Sequence, residues 1–140
     1  MLNGGAMSRS PATRNRPLSP HLTIYRPPIT MTMSIVHRIT GGALYFGTLL
    51  VAWWLTAAVG PQSYFDFVNG IFGSLIGRLV LFGYTWALMH HMLGGIRHLV
   101  WDTGVGLEKH TASKIAWATL AGSVALTLAI WIVGYLARGA

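Results

Sequence analysis

Between Arg38 and Asp66 the chain carries no Lys, Arg, Asp or Glu, and there is none from Ile115 to Ala137. An α-helix needs about 20 apolar residues to cross a hydrocarbon core. Three stretches are long enough: Met31 to Ala58, Ile71 to Trp101 and Ile115 to Leu136. The second is interrupted by Arg78 near its start and Arg97 near its end. Gly60-Pro61-Gln62-Ser63 breaks the chain after the first, and Asp102-Thr103-Gly104-Val105-Gly106 supplies helix-stop residues after the second. The sequence therefore predicts an all-α integral membrane protein with three transmembrane helices, over about residues 31–58, 71–101 and 113–137.

Composition supports the same class. Charged residues make up 9% of the 140 residues, against about 25% in soluble domains. The formal net charge is +7, but no basic-aromatic module accompanies it, which argues against nucleic acid as a partner. There is no cysteine, so this chain cannot supply disulfides, thiolate zinc sites or iron–sulfur ligands.

Two regions follow. Residues 1–29 form a basic, Pro-containing segment expected to be partly disordered, up to about Asn15; residues 30–140 form a three-helix membrane domain. The start shows no signal-peptide pattern. Arg9, Arg14, Arg16 and Arg26 precede the first helix, and Lys109 and Lys114 follow the second, whereas Arg138 alone marks the C-terminal end. The positive-inside rule then predicts an up-down-up bundle with the N-terminus inside and the C-terminus outside.

His91 lies within the second apolar run, and ionisable groups at membrane depth are costly without a role. On a helix, Tyr84, Ala87, His91, Gly95, His98 and Asp102 share one stripe, with Gly94 beside it. On the first helix Ser34, Arg38, Gly41 and Tyr45 share a face. Glycines flanking an imidazole suit the edge of a flat cofactor, and a haem would need one imidazole for iron and cations for its propionates. His91 could supply the former, and His37, Arg38 and His98 the latter, about two turns nearer the inner surface. His90 points about 100° away from His91, so a second iron ligand would come from another chain. Other readings remain open from spacing: His91 as a helix–helix hydrogen bond or proton site, Arg38 and Arg97 snorkelling to headgroups, Ser34 as a helix-start residue, and Gly41-Gly42 and Gly73-x-x-x-Gly77 as plain packing positions.

Three blocks carry a resemblance: Arg16-Pro17-Leu18-Ser19-Pro20-His21-Leu22-Thr23-Ile24-Tyr25, then Ser34-Ile35-Val36-His37-Arg38-Ile39-Thr40-Gly41, then His91 to Asp102 as H-x-x-x-G-x-R-H-x-x-x-D. In this order they are similar to the cytochrome b556 family of membrane anchors of succinate dehydrogenase, respiratory complex II. The resemblance implies that His91 is the axial ligand of haem iron. It implies that His37, Arg38 and His98 lie near the haem propionates. Ser34 and Arg38 would line a ubiquinone site, with Ile35 as an apolar wall and Asp102 as a nearby acid. It further implies haem b shared with a second anchor subunit and ubiquinone as substrate. FAD and iron–sulfur clusters would reside only in the flavoprotein and iron–sulfur partner subunits. The chain alone would not oxidise succinate. Its expected place is a bacterial cytoplasmic membrane, surrounded by lipid, rather than a mitochondrial one. The alternatives are a haem-free anchor and a small proton-coupled membrane subunit, and a role for His90 stays open.

Overall fold

The structure is a computed structural model that describes residues 26–139. The Arg16 to Tyr25 block and the disorder expected before it lie outside the described residues. Four helices follow in order: α1 (Ile29–Ala58), α2 (Gln62–Gly73), α3 (Leu75–Asp102) and α4 (Lys109–Gly139). Three of them, α1, α3 and α4, are long and apolar enough to cross a membrane.

Each boundary has a local cause. Pro28 stands just ahead of α1, where a residue without an N–H leaves no helical bond unmade, and its carbonyl accepts from Met31 and Thr32. Ser74 separates α2 from α3 with an extended backbone, and its Oγ accepts from the Gly77 N–H at 3.1 Å. Gly77 is needed at that corner, because a Cβ there would collide with the backbone of Ile71 and Phe72. Gly73, its partner in the sequence motif, faces open space, so the pair makes a turn rather than a helix-packing face. After α3, Gly104 and Gly106 take φ of 80° and 78°, which side chains resist.

The helix α2 is a departure from the loop expected between the first two spans. With 12 residues it is too short to cross a membrane. It folds back on the end of α1, where the Trp53 indole donates to the Tyr64 hydroxyl at 2.8 Å and the Trp54 indole to Asn69 Oδ1 at 2.9 Å. Val68 is fully buried beneath it.

The bundle interior is small and polar rather than large and apolar. On α1 the buried positions Met33, Thr40 and Gly47 recur every seven residues, the spacing of a helix-packing seam. On α4 they are Ala112, Ala116, Thr119, Ser123 and Thr127, small enough for close approach to α3. The hydroxyls of Thr119, Ser123 and Thr127 donate back to carbonyls of their own helix, so these three groups are not stranded. Large side chains such as Phe46, Leu49, Leu128 and Val133 point outward. In water that distribution would be unstable; in hydrocarbon it removes nothing from a favourable solvent.

Candidate functional site

Contacts between α1 and α3 place two imidazoles face to face. The His37 and His91 rings stack with centroids 4.0 Å apart and planes 2° from parallel. Glycines on both helices permit it. A Cβ on Gly94 would collide with the His37 ring, and one on Gly41 would stand 3.0 Å from His91 Cε1. Each helix thus lends an imidazole to a notch in the other. Farther along the same interface, Gly47 gives way to the ring of Tyr84.

The arrangement sets the proton on His91. Its Nδ1 lies 3.2 Å from the His37 carbonyl, which can only accept, so the tautomer that fits carries its hydrogen on Nδ1 and presents the Nε2 lone pair. The Thr40 hydroxyl donates to the same carbonyl at 3.0 Å and is 3.5 Å from Nδ1. Thr40 is buried. Face and stripe positions do not identify it as a group that orients His91. Its place one turn after His37 is the available signal, since residues three and four apart are neighbours on a helix.

His37 lies closer to His91 than expected. Spacing predicts a two-turn offset between iron ligand and propionate partners; instead the His37 ring fills the Gly94 notch beside His91 and also reaches His98, at 5.4 Å. His98 is exposed and meets Trp101 edge-on at 5.3 Å. Gly95, on the His91 stripe, meets nothing within 4 Å. Of the two glycines expected to admit a flat ring, one is occupied by the chain's own imidazole and the other is open.

His90 and His91 serve different neighbours. His90 is 1% exposed, its Nδ1 is 3.3 Å from Ser123 Oγ on α4, and its ring stacks on Trp86. The adjacent position on a helix turns it away from α1, so it takes no part in the His37–His91 pair.

Arg97 departs from the snorkelling expectation. It is 3% exposed, its guanidinium sits 5.0 Å from the Trp101 ring centre, and its Nε and Nη1 have no hydrogen-bond partner among the described residues. Among the described residues His37 Nδ1 and Trp101 Nε1 are likewise buried and unpartnered. Charged and polar groups gathered at one end of α3 without partners among the described residues call for an acceptor beyond those residues.

Ser34, Ile35 and Arg38 line an outward face of α1. Ser34 lies inside the helix, five residues past its first, so it is not a helix-start residue. It is half-buried and its hydroxyl makes no hydrogen bond among the described residues. Ile35 and Arg38 are exposed. Asp102, the last residue of α3, is exposed, and no ion pair joins it to Arg38.

The donor set suits a haem better than a bare metal ion. Among the described residues no three His, Cys, Asp or Glu side chains converge on a point. A haem would ask the protein for an imidazole at its iron, and His91, with Nδ1 held by the His37 carbonyl, would be the residue to hold it. The unpartnered buried donors nearby fit carboxylate acceptors.

Comparison with known proteins gives consistent matches along nearly the whole chain. The family model described as succinate dehydrogenase/fumarate reductase transmembrane subunit matches residues 12–130. The succinate dehydrogenase cytochrome b556 subunit of Paracoccus denitrificans is 46% identical over 122 residues, covering 87% of this chain and 94% of that protein. The cytochrome b556 subunit of Rickettsia prowazekii is 38% identical over 117 residues, covering 84% and 91%. The mitochondrial cytochrome b560 subunit of Sus scrofa is 42% identical over 120 residues, covering 83% of this chain and 66% of that protein.

Proposed function

This chain belongs to the succinate dehydrogenase/fumarate reductase transmembrane subunit family, and from that premise we propose that it binds haem b and helps form a ubiquinone site in a succinate:ubiquinone oxidoreductase. Its role in complex II is that of a membrane anchor, a non-flavin subunit of a bacterial multi-pass type. The flavoprotein, the iron–sulfur protein and a second anchor are its proposed partners. Succinate is oxidised on those partners, and this chain contributes binding groups at the membrane end of the electron path.

One observation carries the haem reading: the His91 imidazole whose Nδ1–H is tied to the His37 carbonyl across the α1–α3 interface. That bond orients the ring and leaves Nε2 as a neutral donor for iron. Haem b, when bound, supplies a one-electron carrier within the membrane. His37 stands beside His91, His98 lies beside His37, and Arg38 follows His37 on α1, as candidates for the propionate end. A second iron ligand would come from the second anchor, since His90 is engaged with Ser123 on α4.

For ubiquinone, the Ser34 hydroxyl, which has no partner among the described residues, would donate to a quinone oxygen. Arg38 would stabilise negative charge gathering on that oxygen, an interaction strengthened in a low dielectric. Ile35 would pack on the ring, and Asp102 would complete the polar rim. The topology in this reading is up-down-up. Arg26, Lys109 and Lys114 mark the inner end, with Arg78 and Arg138 at the outer end.

The direct test is purification of the complex from membranes, with identification of its chains and a reduced-minus-oxidised spectrum. Three co-purifying partners and a b-type band are expected. An intact four-chain complex without that band would remove haem from the proposal and leave the anchor role.

A further inference from the structure

Two arginines distant in sequence line one cleft at the end of the bundle away from the histidines. Arg78 lies in the opening turns of α3 and Arg138 in the last turn of α4. Neither is paired with an acid among the described residues. The cleft holds about 690 Å³, the size range of small-ligand pockets, and Trp131 and Tyr135 form part of its wall. Arg78 is about 20 Å along α3 from His91.

Each arginine alone would be an ordinary helix-end cation reaching for headgroups. Their convergence is less ordinary, because a Lys/Arg count puts few cations at this end. A second groove of about 230 Å³ adjoins the cleft and shares Trp54, Phe72 and Leu81 with it. Its lining is apolar, with Leu50 and Val80 facing it. The Trp54 indole is held at the junction by its bond to Asn69. A cationic mouth continuous with an apolar channel is complementary to an amphiphile with an anionic head. A neutral ring such as a quinone has no need of two guanidiniums.

We propose that this cleft binds an anionic phospholipid. Its phosphodiester lies between the Arg78 and Arg138 guanidiniums, which suit phosphate oxygens by planar, charge-assisted bonding. One acyl chain runs along the groove past Val80. With the orientation proposed above, the lipid belongs to the outer leaflet. The site is independent of haem and of the α1 face that carries Ser34.

The test uses the intact complex, stripped of lipid in neutral detergent and titrated separately with phosphatidylglycerol, phosphatidylcholine and glycerol 3-phosphate, read by native mass spectrometry. The wild type should take one phosphatidylglycerol that the R78Q/R138Q complex binds roughly tenfold or more weakly. Phosphatidylcholine should bind the wild type more weakly than phosphatidylglycerol, and glycerol 3-phosphate should not saturate in the same range. Equal phosphatidylglycerol affinity in wild type and R78Q/R138Q would overturn the proposal, as would equal affinity for the two lipids or glycerol 3-phosphate binding as tight as lipid. If the double variant fails to assemble, Val80→Trp carries the test alone. Val80 is exposed within the groove, so the larger ring should block the chain while both arginines remain. Unchanged lipid binding by that variant would count against the site.

Discussion

His37 and His91 lie ring on ring, 4.0 Å apart and within 2° of parallel, each seated where the opposite helix has a glycine. The pairing joins backbone to chemistry. Gly41 lets the His91 ring approach α1, and there Nδ1 reaches the His37 carbonyl. Gly94 lets His37 lie against α3 beside it. A single interface therefore fixes both the position of the imidazole and which of its nitrogens is free.

Gly94→Ala should be costly where Gly95→Ala is not. The added methyl at 94 collides with the His37 ring, while the one at 95 meets nothing within 4 Å. Overpacking of this kind costs about 1–3 kcal/mol. Thermal unfolding of the detergent-solubilised complex should show a lower midpoint for Gly94→Ala and one close to wild type for Gly95→Ala. Equal midpoints would mean that the His37 notch is not needed for the fold.

Ser123→Ala should destabilise without touching the spectrum. It leaves His90 buried with its Nδ1 unpaired, a loss of about 1–3 kcal/mol. The unfolding midpoint should fall while the b-type band keeps its position and intensity. A changed band would place His90 closer to the cofactor than its contacts on α4 allow.

Much of this arrangement is legible in the sequence, and the departures have physical causes. Charge-free runs locate three spanning helices because lipid tolerates few other structures. The stripe of glycine and histidine on α3 follows from helical period alone, which places those residues on one face. Side-chain reach is not legible. A seven-residue offset along a backbone says nothing of how far an imidazole leans, so a two-turn separation is expected of His37 and His91 although their rings touch. Arg97 looks like a snorkelling side chain by its place near a helix end, and only packing against Trp101 shows it enclosed. The α2 segment mixes aromatic residues with Asp66 and Asn69 and has no long apolar run; its helix depends on tertiary bonds from Trp53 and Trp54.

Ser34→Ala and Arg38→Leu should separate the two half-reactions. Both side chains lie on the outward face of α1 without partners among the described residues, so their loss should spare the fold. Quinone reduction by the purified complex should drop, by about tenfold if one hydrogen bond worth about 1.5 kcal/mol is lost from the rate-limiting state. Succinate oxidation with a soluble dye should persist. Parallel loss of both activities would indicate failed assembly instead of a quinone role.

The most direct measurement compares reduced-minus-oxidised spectra of the complex carrying His91→Ala with those of the complex carrying His90→Ala. Loss or severe weakening of the b-type band in the first, with the band retained in the second, is the predicted result. A full band in an assembled His91→Ala complex would contradict the assignment of His91 as the iron ligand.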